Sequence, residues 1–129
     1  MVVKLIQISQ LHQHEHIDAG HLQQLTKEIQ ADGVLKNPIV VDKKTLVVLD
    51  GHHRLNGCKQ LGLSKIPCLL VDYLADNKVR VVTRRSNYII TKEKVLSKGL
   101  SGKLFPYKTT KHFIPKRVKK LNITLEKLK

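Results

Sequence analysis

The chain has 129 residues, a usual size for one domain, and 41% of them are hydrophobic while only 4% are aromatic. This composition excludes a disordered chain and predicts one core built from Ile, Leu and Val. No run of about 20 apolar residues could cross a membrane, and the N-terminus lacks the plan of a signal peptide. We therefore expect a cytoplasmic protein without membrane contact.

The positive charge lies in the second part of the chain. The sequence holds 24 Lys and Arg against 10 Asp and Glu, a formal net charge of +14. Residues 1–77 contain 8 basic and 8 acidic residues, so residues 78–129, with 16 basic and 2 acidic, carry the whole excess. Such a block attracts nucleic acid, nucleotide phosphates or a membrane surface, or forms a solvated lysine-rich face. Charge alone does not choose among these.

The first half of the sequence predicts a strand, a helix and a hairpin. Val3 and Leu5 occupy alternate positions near the N-terminus, so we expect both side chains to point inward from a strand, with Ile6 or Ile8 as a further inward residue. Asp18 is a typical N-cap and Gly33 a typical C-terminal stop, which places a helix between them. Two β-rich runs joined by a short lysine turn predict the hairpin. The predicted strands are residues 2–9, 39–42 and 45–49.

The rest of the sequence predicts a short helix, two strands and a further helix. Leu55 and Cys58 are three positions apart and would share the buried face of the short helix. Thr91 is a suitable N-cap for the last helix, and Gly99 a suitable stop. This order of elements indicates an α+β domain with a small mixed sheet. The two strands are residues 66–73 and 79–83.

The turn at residues 50–54, Asp-Gly-His-His-Arg, stands between a predicted strand and a predicted helix. Gly51 permits a sharp turn and a close approach of the backbone to a ligand. The first N–H groups of the helix, the two histidines and Arg54 would all donate to an anion, which predicts a phosphate site. Asp50 suits a magnesium ion that accompanies phosphate, or the orientation of a hydroxyl. The alternative is a surface turn with solvated histidines.

Four stretches of the sequence together resemble the ParB/sulfiredoxin superfamily over about residues 1–73. They are residues 33–41, 48–54, 61–62 and 66–67. In that superfamily a turn with glycine and arginine before a helix holds nucleotide phosphate. Sulfiredoxins carry a nucleophilic cysteine where this chain has His52, so sulfiredoxin chemistry is not expected. Chromosome-partitioning ParB proteins continue into a helix-turn-helix, a pattern that is not recognisable in residues 78–129.

Nearly the whole chain resembles one family of this superfamily, the free serine kinases. Its features are an Asp-Gly-x-His-Arg turn, an upstream His-Glu pair and a C-terminal Phe-Pro-x-Lys-Thr-Thr-x-His stretch. Here they are residues 50–54, His14 with Glu15, and residues 105–112. The resemblance implies one ParB/sulfiredoxin-like kinase domain over residues 1–129, with a nucleotide-binding core at 1–77 and a basic extension at 78–129 that contributes to the substrate site. It further implies phosphoryl transfer from ATP or ADP to free L-serine, giving O-phospho-L-serine for cysteine or serine metabolism.

The resemblance also implies a role for each motif. Glu15 would be the general base, and Asp50 would orient the hydroxyl or bind Mg²⁺. The donor phosphates would lie against Gly51, His52, His53 and Arg54. L-serine, or a second face of the phosphates, would lie against Lys108, Thr109, Thr110 and His112.

The alternative function is a ParB-like regulator that binds nucleotide and DNA without kinase activity. Its sequence basis is the basic tail, with Lys116, Arg117, Lys119 and Lys120. No aromatic side chain is interleaved among these four charges, so we do not expect nucleic acid as a partner.

Overall fold

The computed structural model describes residues 2–129, which form eight strands, three α-helices and two short 3₁₀ turns. The strands are β1 (Val2–Gln7), β2 (Val34–Leu35), β3 (Ile39–Asp42), β4 (Val48–Asp50), β5 (Lys65–Val71), β6 (Arg80–Thr83), β7 (Thr110–Phe113) and β8 (Ile123–Thr124). The helices are α1 (Ala19–Asp32), α2 (His52–Gln60) and α3 (Lys92–Ser101), and the 3₁₀ turns are Ile8–Gln10 and Leu125–Leu128.

The main sheet has four strands in the order β1-β5-β3-β4. β5 pairs antiparallel with β1 and parallel with β3, while β3 and β4 form the predicted antiparallel hairpin. The sheet is therefore mixed, and the predicted α+β class is confirmed. Two short ribbons, β2 with β8 and β6 with β7, complete the structure.

Each face of the sheet packs against its own group of apolar side chains. Ile39 and Val41 of β3 lie in one cluster with Leu55 and Cys58 of α2. Val40, the residue between them, lies in a second cluster that includes residues of α3. Neighbouring side chains of a strand point to opposite faces, so β3 is buried on both sides. This explains why three successive residues of the strand, Ile39, Val40 and Val41, are apolar. The layers are helix, sheet and helix.

The first predicted strand is present, but Leu5 does not point into the core as expected. Its side chain is 44% exposed, while Val3 and Ile6 are half-buried and Ile8 is buried. β1 is the edge strand of the sheet and pairs only with β5. A strand at the edge lies beyond part of the helical layers, so alternation along the sequence does not decide which of its residues are covered.

The last helix begins where the sequence predicts and ends later. Thr91 is the N-cap, and its hydroxyl accepts a hydrogen bond from the Lys94 N–H at 3.1 Å. The helix passes through Gly99 and stops at Gly102, so Gly99 is wrong as the predicted end. A Cβ on Gly99 would lie 2.6 Å from Val47 Cγ1, which shows that this glycine permits close packing of α3 on the sheet.

The basic part of the chain returns to the first part. β8 pairs with β2, and Leu128 is buried in the same apolar cluster as Ile39. β7 contains the last three residues of the motif at residues 105–112 and makes contacts with β4, the strand that ends in Asp50. None of the helices among residues 2–129 is long and apolar enough to cross a bilayer.

Candidate active site

A cavity of about 620 Å³ lies where β4 ends and α2 begins. Three separate parts of the sequence line it: the loop before α1, the turn at residues 50–54, and the C-terminal segment. The lining residues predicted from sequence are Glu15, Asp50, Gly51, His52, His53, Arg54, Lys108, Thr110 and His112. The structure thus brings nine predicted site residues to one cavity, and Thr109 lies directly behind it.

The turn after β4 depends on Gly51. Its φ angle is +101°, and a Cβ at this position would lie 2.5 Å from Ile39 Cγ2. No other residue type fits this turn without strain and displacement of the core. α2 starts at the next residue, so the unpaired N–H groups of its first turn stand at the cavity. This geometry supports the predicted anion site.

The Arg54 side chain is fixed across the same turn. Its Nη1 donates to the carbonyl oxygens of Pro38 at 2.7 Å and Asn37 at 3.3 Å, and its Nη2 lies 3.7 Å from Asp50 Oδ2. These contacts hold the guanidinium at the wall of the cavity in one orientation. A fixed guanidinium is better suited to phosphate than a mobile side chain, since little conformational freedom remains to be lost on binding.

Asp50 pairs with an arginine of the basic tail, which the sequence predicted to be a solvated or nucleotide-attracting surface. Arg117 Nη2 lies 2.6 Å from Asp50 Oδ2. Burial alone would raise the pKa of Asp50, but Arg117 and Arg54 together outweigh burial and hold this pKa below its usual value. The carboxylate is therefore charged at neutral pH. Arg84 and Lys111 also line the cavity, and the sequence assigned neither of them to the site.

The two histidines of the turn use a ring nitrogen within the protein. His52 Nε2 accepts a hydrogen bond from the backbone N–H of His14 at 3.2 Å, and His53 Nε2 accepts one from the N–H of Asp18 at 2.9 Å. Burial lowers the pKa of both rings, that of His52 most strongly. Each ring is neutral and anchors the loop before α1. The predicted contact of His52 with phosphate would therefore be made by its backbone N–H.

Glu15 is held by the segment that the sequence placed at the substrate. Its Oε1 accepts from the Thr109 N–H at 3.3 Å, and its Oε2 accepts from the Thr110 N–H at 3.2 Å and from the Thr110 hydroxyl at 2.7 Å. Backbone bonds on both sides of Phe105 join this segment to the loop: His16 N–H to Phe105 O and Phe105 N–H to His14 O, each 2.8 Å. The carboxylate is thereby fixed at the wall of the cavity.

His112 also lines the cavity, and a buried tyrosine fixes it from behind. The Tyr73 hydroxyl lies 2.8 Å from His112 Nε2. Removal of most of the ring from water, together with the neighbouring His14, lowers the pKa of His112 to about 3. The ring is therefore neutral, accepts from Tyr73 through Nε2, and carries its hydrogen on Nδ1. Thr109 faces away, with its hydroxyl bonded to the Pro106 carbonyl.

The charge balance of the cavity favours an anion. Arg54, Arg84, Lys108, Lys111 and Arg117 line it, against two carboxylates. No group of three or more His, Cys, Asp or Glu residues within 2–129 is arranged to hold a metal ion by itself. Mg²⁺ commonly binds through one or two carboxylates and the phosphates of its substrate, and the Asp50 carboxylate fits the protein's share of such a site.

Residues 1–88 match the ParB N-terminal domain family. The chain belongs to this family. An ATP-dependent L-serine kinase of Staphylothermus marinus is 39% identical over 79 residues, which cover 57% of this chain and 31% of that protein. A ParB-like protein of Sulfolobus acidocaldarius is 38% identical over 81 residues, which cover 63% of this chain and 39% of that protein. The chain thus spans about a third of the length of these relatives.

Two solved structures share the fold. A conserved hypothetical protein from Pyrococcus furiosus superposes with a TM-score of 0.89 and 17% identity, over 100% of this chain and 98% of the other. A free serine kinase in complex with AMP superposes with a TM-score of 0.89 and 16% identity, over 98% of this chain and 93% of the other. These two likenesses confirm the predicted fold, and the family match at residues 1–88 confirms the predicted superfamily.

Proposed function

We propose that the protein transfers a phosphoryl group from ATP or ADP to the hydroxyl of free L-serine, giving O-phospho-L-serine. The observation that carries this proposal is the meeting of Glu15 with the turn at residues 50–54 in one cavity. A fixed carboxylate beside a cationic phosphate site supplies what phosphoryl transfer to an alcohol needs, namely a proton acceptor and charge neutralisation. The relatives named as L-serine kinases supply the acceptor and the donor.

The donor nucleotide would place its phosphates against the start of α2. The N–H groups there, with the Arg54 guanidinium, donate to phosphate oxygens, and Lys108, Lys111 and Arg117 neutralise further charge. Arg117 would exchange its bond with Asp50 for the phosphates when nucleotide binds. Mg²⁺ carried by the nucleotide would then meet Asp50 and supply further neutralisation of the phosphate charge.

L-serine would occupy the side of the cavity that Glu15 faces. Its hydroxyl would donate to Oε1, because Oε2 already accepts two hydrogen bonds from Thr110 while Oε1 accepts one. Its carboxylate would lie against Lys108 and the free N–H of His112. Thr109 and Thr110 would act on the substrate through Glu15, which they hold in place.

A direct assay tests this function. The protein is incubated with L-serine, MgCl₂ and either ATP or ADP, and ³¹P NMR follows the products. We expect a phosphoserine signal that requires serine and grows with time. Parallel reactions with L-threonine and D-serine define the acceptor, and omission of MgCl₂ with added EDTA tests the metal. Nucleotide hydrolysis at the same rate with and without serine would contradict the proposal.

A nucleotide- and DNA-binding regulator is the second candidate, favoured by the relative named ParB-like protein and by the charge of +14. Beyond residue 77 the described chain holds a single α-helix, α3, and therefore no helix-turn-helix. We expect weak binding of duplex DNA that falls steeply with salt and ignores sequence. A tight complex with one DNA sequence near physiological salt would favour the regulator.

A further inference from the structure

Glu15 and Thr110, which line the cavity, and the buried His14 behind them form a hydrogen-bonded group of three side chains. The Thr110 hydroxyl oxygen lies 2.7 Å from Glu15 Oε2 and 3.0 Å from His14 Nε2. At the far end, His14 Nδ1 lies 2.7 Å from the Val48 carbonyl oxygen. A carbonyl oxygen only accepts, so Nδ1 carries a hydrogen and Nε2 of a neutral ring carries none. The His14 side chain is fully buried.

The three hydrogen-bonded side chains have one hydrogen too few when Glu15 is ionised and His14 is neutral. The hydroxyl hydrogen of Thr110 can serve Glu15 Oε2 or His14 Nε2, but not both. A carboxylate is the stronger acceptor, so the hydrogen points to Glu15. The buried Nε2 of His14 then has no donor among the three side chains. An unpaired buried acceptor is costly. Adding one proton removes this cost.

The added proton can lie at either end. When Glu15 is protonated, its carboxyl group becomes a weaker acceptor than imidazole, and the Thr110 hydroxyl turns to His14 Nε2. When His14 is protonated, Nε2 donates to Thr110, and Thr110 continues to donate to Glu15. Both arrangements satisfy Nε2, so the three groups take up a proton more readily than Glu15 would without His14.

We propose that His14, acting through the Thr110 hydroxyl, raises the basicity of Glu15. This inference rests on the role of Glu15 as the base in the proposed function. His14 and Thr110 are positioning residues, because they contact Glu15 and not the substrate. During transfer the serine O–H bond breaks and its proton goes to Glu15. The serine oxygen forms the new bond to phosphorus, and the bond from phosphorus to the nucleotide oxygen breaks, with its electron pair leaving on the nucleotide.

The surroundings of His14 favour the neutral ring in the resting protein. Burial lowers its pKa, and the bond to Val48 and the charges of Glu15 and Asp50 oppose burial only in part. The rings of His52 and His112 lie 4.5 Å and 5.8 Å from it, centroid to centroid, and Phe105 packs at 6.4 Å. Burial keeps both neighbouring histidines neutral. The basic residues that line the same cavity are Arg54, Arg84, Lys108, Lys111 and Arg117.

Carboxyl titration by ¹³C NMR tests the proposal in the full chain without substrate. The protein has four glutamates, so labelling the Glu side-chain carboxyl carbon gives four signals, and Glu15→Gln assigns one of them. His14→Asn keeps an amide donor near Nδ1, facing Val48, and leaves nothing at Nε2. We expect the pKa of Glu15 to fall by about one unit, the size of one hydrogen bond.

Three further variants separate this role from a structural one. His14→Gln places an amide oxygen near the Nε2 position, and we expect it to restore most of the wild-type pKa. Thr110→Ser keeps the hydroxyl and leaves the pKa unchanged. Thr110→Val removes a donor from the carboxylate and shifts the pKa upward, opposite to His14→Asn. If His14→Asn does not fold, His14→Leu takes its place, because it also leaves no acceptor at the Nε2 position and should lower the pKa of Glu15 in the same direction.

Activity supplies an independent readout. In His14→Asn we expect the acid limb of the pH profile of phosphoserine formation to move to lower pH. The kcat should fall about tenfold, while the KM values for serine and nucleotide remain unchanged. A Glu15 pKa that is unchanged in the folded variant of His14, whether Asn or Leu, would overturn the proposal. Because the titration contains no serine or nucleotide, its result does not depend on whether serine is the acceptor.

Discussion

The turn at residues 50–54 and the segment at residues 105–112 meet at the same cavity but use their polar groups differently. The turn leaves the N–H groups at the start of α2 open to the cavity and presents Arg54 as a cation. The segment directs most of its polar groups at other parts of the protein: Thr109 and Thr110 bind Glu15, and His112 binds Tyr73. One region is arranged to receive a ligand, and the other is arranged to hold a carboxylate.

This difference suits the proposed function, in which Thr109 and Thr110 act through Glu15. Glu15 lies in a polar loop and would be mobile without partners. Three hydrogen bonds from Thr109 and Thr110 fix its carboxylate, which is the condition for a base to act in a defined geometry. The first two of the following predictions separate nucleotide binding at the turn from proton transfer at Glu15. The other two concern the stability of the turn and of the segment.

The largest effect is expected from Glu15→Gln. The amide keeps the size of the side chain and cannot accept the serine proton, so phosphoserine formation should fall by about two to four decades. Nucleotide affinity, measured by calorimetry, should stay within about twofold, since the turn is intact. Glu28→Gln, on the exposed face of α1, is the matched control and should behave as wild type. Normal turnover of Glu15→Gln would show that Glu15 is not the base.

Arg54→Ala should have the reverse signature. It removes a fixed cation from the phosphates and should weaken nucleotide binding by about one to two decades, while adenosine binding is unchanged. Arg54→Lys should weaken nucleotide binding less than Arg54→Ala does, because an ammonium group keeps the charge but lacks the planar guanidinium with its paired donors. Arg80→Ala, an exposed arginine on β6, is the control. Equal losses for adenosine and nucleotide would show that the turn does not bind phosphate.

Gly51→Ala should disturb the turn through the backbone. Gly51 and Gly62 both have positive φ, but a Cβ on Gly62 meets nothing within 4 Å whereas one on Gly51 meets Ile39. We expect Gly62→Ala to lower the free energy of unfolding by about 1 kcal/mol and Gly51→Ala by about 1–3 kcal/mol more. Urea denaturation measures both. Equal losses would mean that the contact with Ile39 does not shape the turn.

The smallest effect concerns the pH dependence of stability. His112 has a folded-state pKa of about 3 against 6.5 when unfolded, so the unfolded chain binds the extra proton first as pH falls. This histidine therefore makes stability decrease between about pH 6.5 and pH 3, by up to about 1.4 kcal/mol per pH unit. His112→Gln should flatten the decrease in urea titrations at pH 7, 6 and 5. His12→Gln, at an exposed histidine, is the control and should leave the decrease as it is in the wild type. An unchanged slope in His112→Gln would contradict the lowered pKa of His112.

Local signals predicted most of the fold. Asp18 and Gly33 bound α1 at the predicted residues, and the hairpin of β3 and β4 follows its two apolar runs. Leu5 and Gly99 were predicted wrongly for a common reason. Whether a residue is covered at an edge strand, or a glycine ends a helix or permits a close contact, depends on the neighbouring layer and not on the adjacent sequence.

The turn at residues 50–54 could be found from sequence because its elements are adjacent: a strand end, a glycine, donors and a helix start. Arg117 could not be found, because its bond to Asp50 joins distant parts of the chain. The same holds for the bonds from Thr109 and Thr110 to Glu15. Composition and spacing carry no record of such pairs, and only the resemblance to free serine kinases pointed to both segments.

The sequence by itself determined most of the helices and strands, the mixed α+β class and the glycine turn between β4 and α2, since these follow from hydrogen bonding and burial among near neighbours. The tertiary structure decided which polar groups share the cavity and which of them remain free. That outcome depends on how β7 approaches β4 and how the loop before α1 joins Phe105. Long-range contacts of this kind place Thr110 between Glu15 and His14, and the chemistry of the carboxylate follows from that placement.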